Sequence, residues 1–149
     1  MTNRTVMLTL DGTKFAATAI DETRYLATSL GARVVLLEVL RQHTGPSPFS
    51  IEGARQADRR DAQSHLRRAK QRLNLACVRE VKALKVTDRS PGEAIQRSAR
   101  DFDCDFVVTA THGRSGVSRM LRGSVAEHVA RRYDGGSVVL VPQAPSTHP

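Results

Sequence analysis

Aromatic residues are scarce in this chain of 149 residues, which has four Phe, two Tyr and no Trp. A hydrophobic core must therefore be built from Val, Leu, Ile and Ala side chains. The scarcity also disfavours single-stranded nucleic acid as a ligand, because such sites stack bases on aromatic rings. The longest apolar runs, such as VVLLEVL, are far too short to span a bilayer.

Cysteine is scarce as well. Cys77 and Cys104 form neither a CxxC pair nor a metal-ligand spacing, which predicts free thiols in a reducing compartment. The first residues, MTNRTVMLTLDG, lack an apolar block followed by a small-residue cleavage site, so no signal peptide is predicted. These features predict a cytoplasmic protein without a membrane partner.

Acidic residues are fewer than basic ones. The chain has 15 Asp and Glu and 23 Lys and Arg, which gives a formal net charge of +8. Most of the excess lies between residues 51 and 79. A solvated helix face explains such a run most simply. Docking of an acidic regulatory protein stays open, and a nucleic-acid-binding module is disfavoured because no helix-turn-helix or zinc signature is present. The cations of the run are Arg55, Arg59, Arg60, Arg67, Arg68, Lys70, Arg72 and Arg79.

Strand and helix patterns alternate along the chain, which predicts a parallel sheet covered by helices on both faces. The fold class is therefore α/β, with three layers in one domain over residues 1–142. Residues 143–149, QAPSTHP, are expected to form a disordered tail. The predicted strands are 4–10, 33–40, 77–86, 105–110 and 137–142, and the predicted helices are 14–30, 51–76, 90–102 and 124–133.

Local signals support several of these boundaries. Gly31 is predicted to end the first helix, and the mixed polarity of 77–86 predicts an edge strand. Residues 41–50, RQHTGPSPFS, are predicted to be a loop. Ser90 and Glu93, and again Ser124 and Glu127, have the spacing of a capping box at the start of a helix.

Two loops follow strands at the edge where parallel α/β sheets bind ligands. One is DGTK, which begins at Asp11, and the other is ATHGRSGVSRMLRGS, residues 110–124. A glycine-rich turn leading into a helix can bind an anion through backbone N–H groups. The second loop matches neither GxGxxG nor GxxxxGK[ST]. Asp11 could accept ribose hydroxyls, whereas Ser124 could donate to a phosphate or serve only as an N-cap.

The segment from Asp105 to Pro142 resembles the C-terminal signature of the universal stress protein family. Nucleotide-binding members of that family carry G-x2-G-x9-G-[ST], and here the motif begins with Ala110 and closes with Gly123 and Ser124. The stretch VMLTLDGTKFAATAI is similar to the first strand and turn of the family. LGARVVLLEVL resembles its second strand, where His is common at the position of Glu38. The resemblance covers nearly the whole chain.

The resemblance implies a Rossmann-like, five-stranded parallel sheet of order 3-2-1-4-5 and a homodimer formed through the last strand, residues 137–142. It also implies a stress-response protein that binds ATP, with or without Mg²⁺. Asp11 is then expected at the ribose and Val39 beside the adenine. The phosphates and ribose are expected to meet the loop at Ala110, Gly113, Arg114, Gly116, Gly123, Ser124 and Val125.

Ala110 departs from the motif, which has glycine at this position. If the position requires positive φ, alanine costs about 1–2 kcal/mol; if it requires only close approach, a small ligand shift accommodates the methyl group. A nucleotide-free dimeric adaptor is the alternative. No hydrolytic motif such as GKS, GKT or HxGH is present, so slow ATP hydrolysis is the most that the sequence predicts.

Overall fold

A computed structural model describes residues 3–11, 16–42, 47–111 and 125–142. The predicted tail, the start of the predicted first helix and most of the loop at 110–124 lie outside these ranges. In chain order the elements are β1 (Thr5–Leu10), α1 (Ala16–Leu30), β2 (Arg33–Arg41), α2 (Pro48–Leu75), β3 (Val81–Asp88), α3 (Pro91–Asp101), β4 (Phe106–Thr111), α4 (Val125–Arg132) and β5 (Ser137–Pro142).

The five strands form one parallel sheet in the order β3-β2-β1-β4-β5. Both the α/β class and the strand order expected from the resemblance are confirmed. β1 is central and pairs with β2 on one side and β4 on the other. β3 lies at an edge, as its mixed polarity predicts, and β5 forms the opposite edge.

Alternate residues of the strands belong to two aliphatic clusters, one on each face of the sheet. On the first face Val6, Leu8 and Leu10 belong to a cluster that includes residues of α1 and α2. On the second face Met7 and Val35 belong to a cluster that includes residues of α3 and α4. Burial on both faces explains why β1 and β2 read as continuous apolar runs rather than as alternating ones.

The helix ends follow the sequence signals with two corrections. Gly31 has φ +61°, and Ala32 N–H donates to Ala27 O at 2.9 Å, so the predicted glycine stop is confirmed. α2 begins at Pro48, inside the stretch predicted as a loop, because proline suits the first turn of a helix. Ser90 is the N-cap of α3, but its side chain makes no capping bond. The predicted capping box with Glu93 is therefore absent, and Asp88 Oδ1 accepts Ser90 N–H at 2.8 Å instead.

The amino edge of the sheet is tied together at Asp105. Its Oδ2 accepts the Thr5 N–H at 2.8 Å, and its carbonyl accepts the Ser137 N–H at 2.8 Å. Gly136 lies so close that a Cβ there would collide with the Asp105 carbonyl. Tyr133 seals this end by donating its hydroxyl to the Cys104 carbonyl. A ligand-binding site is therefore expected at the opposite, carboxyl edge of the sheet.

Candidate functional site

Three elements meet at the carboxyl edge of the sheet around the end of β1. Leu10 is paired with Glu38 on β2, and Thr9 is paired with Thr109 on β4. Extending both registers places Asp11 level with Val39 on one side and with Thr111 on the other. Strand order reverses between β1 and β4, and in such sheets this is where the ligand crevice opens. Asp11 is exposed there. The structure therefore brings Asp11, Val39 and the end of β4 together.

Ala110 lies inside β4, paired with Val141. Outside glycine, positive φ occurs in the described ranges only at Cys77 and Asp103, so the Ala110 backbone is not left-handed. Its side chain is half-buried against the cluster under α1 and α2. The strain foreseen for alanine at this position is consequently absent from this structure.

Val39 and Val125 lie on the opposite face of the sheet from the Ala110 methyl group. Both pack against the cluster under α3 and α4, and both are half-buried. Val125 is the first residue of α4, whose amino end opens toward the carboxyl edge. The remaining predicted loop residues lie outside the described ranges: Gly113, Arg114, Gly116, Gly123 and Ser124.

A hydrogen-bonded pair of Glu38 on β2 and His65 on α2 adjoins this edge. Glu38 is 5% exposed, and its Oε1 lies 3.2 Å from His65 Nδ1. Its Oε2 is buried and has no hydrogen-bond partner among the described residues. Burial raises the pKa of Glu38, while the bond to His65 opposes the shift and the nearby Asp11 and Asp61 add to it. Sequence reasoning noted Glu38 but missed His65, because that pairing depends on how α2 packs on the sheet.

The first turns of α3 and α4 are in close contact on the other face. A Cβ at Gly92 would lie 2.5 Å from Cδ2 of His128. Buried nitrogens of Gln96 and His128 have no hydrogen-bond partner within the part of the chain described here. The sequence signal for this contact is Gly92, in the Ser-Pro-Gly stretch that begins α3, because a residue without a side chain leaves room for the His128 ring.

Cysteine chemistry plays no part at this edge. Cys77 and Cys104 are free, as predicted, and Cys104 lies buried at the amino side of β4. Burial raises the pKa of Cys104 to about 12, which keeps it a thiol at neutral pH.

Among residues 3–11, 16–42, 47–111 and 125–142, no three His, Cys, Asp or Glu side chains converge to hold a metal ion. No described helix combines the length and apolarity needed to cross a bilayer.

The fold defines a doubly wound α/β protein in which Asp11, Val39 and the end of β4 lie where the strand order reverses. The sequence profile of the universal stress protein family matches residues 2–142 of this chain. The chain belongs to that family, as its spaced glycine motif predicts.

Solved structures of other members have the same fold. One is a universal stress protein in complex with cAMP; the two proteins share 22% identity over 97% of this chain and 100% of that one, with a TM-score of 0.74. A family member from Arabidopsis thaliana with AMP bound is 17% identical over 98% and 95%, with a TM-score of 0.72. One from Archaeoglobus fulgidus in complex with dAMP is 16% identical over 94% and 98%, with a TM-score of 0.67.

Proposed function

We propose that this protein binds an adenine nucleotide, ATP in the first instance, at the carboxyl edge of β1 and β4. We propose further that it acts as a stress-response regulator in the cytoplasm. The observation that carries the proposal is the meeting of Asp11, Val39 and Ala110 at the reversal of strand order. Three related proteins of the same fold were solved with cAMP, AMP and dAMP, which supports an adenine nucleotide as the ligand class.

The proposal gives each residue the role that the family resemblance implies. Asp11 accepts hydrogen bonds from the ribose, and Val39 flanks the adenine from β2. Ala110 offers its backbone to the ribose while its methyl group points to the α1 side. Val125, at the amino end of α4, adds an N–H near the phosphates. The rest of the phosphate site comes from the loop: Gly113, Arg114, Gly116, Gly123 and Ser124.

The nucleotide acts as a bound signal rather than as an efficiently turned-over substrate. Asp11 is the carboxylate best placed to contact a magnesium-bound water if Mg²⁺ accompanies ATP, since Mg²⁺ keeps several waters and binds phosphates directly. Glu38 is less suitable, because it is only 5% exposed and faces the α2 side of the sheet, where it bonds to His65. Slow hydrolysis is the most that this arrangement supports.

Calorimetric titration with ATP and AMP, with and without Mg²⁺, tests the site. Gly123→Val places a branched side chain where the loop must approach the phosphates, and we expect it to remove binding. Ala110→Gly should change Kd by less than about tenfold, or 1.4 kcal/mol, because no backbone strain is released. Gly53→Ala, on the exposed part of α2 where a Cβ meets nothing within 4 Å, is the matched glycine control.

The alternative, a nucleotide-free dimeric adaptor, makes the opposite prediction. If wild type and Ala110→Gly both fail to bind any adenine nucleotide, the adaptor is the better description. Tight binding that Gly123→Val removes and Gly53→Ala leaves intact rules the adaptor out. Mass spectrometry of the small molecule released on denaturation then identifies the nucleotide that co-purifies.

A further inference from the structure

α2 carries a continuous stripe of basic and amide side chains on one side. These residues follow one another at steps of four and three, which places them on one helical face. All of them are exposed, and the stripe runs for about 27 Å at 1.5 Å per residue. We call this set the basic stripe: Gln56, Arg60, Gln63, Arg67, Lys70 and Asn74.

The cations of this face are unpaired within the described part of the chain. Arg60, Arg67 and Lys70, together with the adjacent Arg59, have no ion pair with any described carboxylate. By contrast, Arg72 lies on another side of α2, where it binds Asp21 on α1 at 3.1 Å. The cations of the basic stripe therefore take no part in the ion pairs that hold α2 against the rest of the domain.

Glu52 lies at the amino end of the basic stripe, where its Oε1 accepts a hydrogen bond from Gln56 Nε2 at 3.4 Å, but the other acidic residues of α2 lie away from the stripe. At 100° per residue, Asp58 and Asp61 lie roughly 140–160° around the helix from it. The buried residues Ala62, Leu66 and Leu73 form a separate face against the sheet. From residue 51 to residue 61 no side chain is buried, so this part of α2 extends beyond the core. From Arg60 to Lys70 the helix thus presents a positive side, with no acidic residue on it, to a partner.

The chemistry of the basic stripe fits a phosphate backbone. Arg and Lys neutralise phosphates, and Gln and Asn donate to phosphate oxygens and base edges. The stripe has no aromatic residue, which disfavours unstacked bases and favours the regular backbone of a duplex. An acidic protein surface would also be attracted, but the amide side chains at Gln63 and Asn74 add hydrogen-bond donors without adding charge, while Gln56 already donates to Glu52.

We propose that the basic stripe of α2 is a docking surface for double-stranded nucleic acid, bound through its phosphates and without strong sequence preference. The stripe is exposed on the outer side of α2, whereas Ala110 packs against the buried cluster under α1 and α2 and Val39 and Val125 lie on the opposite face of the sheet. The surface therefore shares no residue with the proposed nucleotide site. Binding of a duplex therefore requires no ATP.

The test compares two triple variants in duplex binding by fluorescence anisotropy, without nucleotide, from 50 to 200 mM salt. The stripe variant carries Arg60→Gln, Arg67→Gln and Lys70→Gln. The control carries Arg24→Gln, Arg97→Gln and Arg100→Gln, which are exposed on α1 and α3. Each triple variant loses three positive charges, so its formal net charge falls from +8 to +5. Circular dichroism verifies that both variants keep their helices.

Wild type should bind with a steep salt dependence. The stripe variant should reduce the slope of log Kobs against log salt by about 3, at about one unit per lost phosphate contact. The control should retain most of the slope. Equal losses in both variants would mean that net charge alone drives binding, and would overturn the proposal. So would absence of duplex binding by wild type at 50 mM salt, or tighter binding of poly-L-glutamate than of duplex at equal charge, which would assign the surface to an acidic protein.

Discussion

At the scale of single residues, Glu38 is the least expected feature of the molecule. Its side chain occupies a position on β2 that is level with Leu10 and almost completely buried. The sequence reveals an acidic residue in an apolar run, which indicates a special environment. It does not reveal His65, which lies 27 residues away and reaches Glu38 only after α2 packs on the sheet. The nearness of Asp11 adds a second negative charge to this environment.

The raised pKa of Glu38 predicts how stability depends on pH. The folded protein holds the Glu38 proton at higher pH than the unfolded chain does, so this group destabilises the fold as pH rises from about 4.5 through its folded pKa. We expect Glu38→Gln to remove that decline. Urea denaturation of both proteins between pH 4.5 and 7.5 measures this effect. The free energy of unfolding of Glu38→Gln, relative to that of wild type, should increase as pH rises. Parallel curves for the two proteins would contradict this assignment.

At the scale of elements, most helices and strands were predictable because they alternate in apolar pattern. The failures have local physical causes. The composition of residues 41–50 predicts a loop, yet Pro48 begins α2, because proline lacks only an N–H that the first turn of a helix does not need. β3 begins at Val81 rather than Cys77, because Cys77 takes a positive φ of 58° at the end of α2. Contacts between helices, such as that between Gly92 and His128, leave no periodic signal in the sequence.

The contact between α3 and α4 predicts opposite outcomes for two glycines. Gly92→Ala forces a methyl group against the His128 ring, and we expect it to destabilise the fold by about 1–3 kcal/mol, as overpacking does. Gly53→Ala meets open space within α2 and should stabilise the protein by about 0.5–1 kcal/mol. Thermal or urea unfolding of the two variants measures both changes. A neutral Gly92→Ala would show that the His128 ring moves aside readily.

At the scale of the whole molecule, alternation of strands and helices was enough to predict a parallel sheet with two covered faces. The strand order was not derivable from the pattern and came from the family resemblance. Of the proposed nucleotide site, Asp11 could be placed because it directly follows the first strand, whereas the place of Val39 came from the family resemblance. The environment of Ala110 could not, because its backbone conformation and the direction of its methyl group depend on pairing with β5.

The order of the sheet leaves β5 with a free edge in the single chain, and we propose that two copies pair there. Leu140 on β5 is 46% exposed, so Leu140→Lys puts a charge into the proposed interface. We expect it to weaken dimerisation by at least about tenfold, since burying a leucine contributes about 1.5–3 kcal/mol. Analytical ultracentrifugation measures the change. Leu75→Lys, at a leucine 78% exposed on α2, is the control and should leave the assembly unchanged.

The tie between Thr5 and Asp105 joins residues 100 positions apart in the chain. During translation at roughly 5–20 residues per second, the ribosome makes β1 about 5–20 s before the segment that covers its second edge. β1, β2 and β3 can pair in that interval, but the edge of β1 that will receive β4 is then open to other chains. Synthesis rate and chaperone supply should therefore govern the yield of this protein more than the stability of its finished fold does.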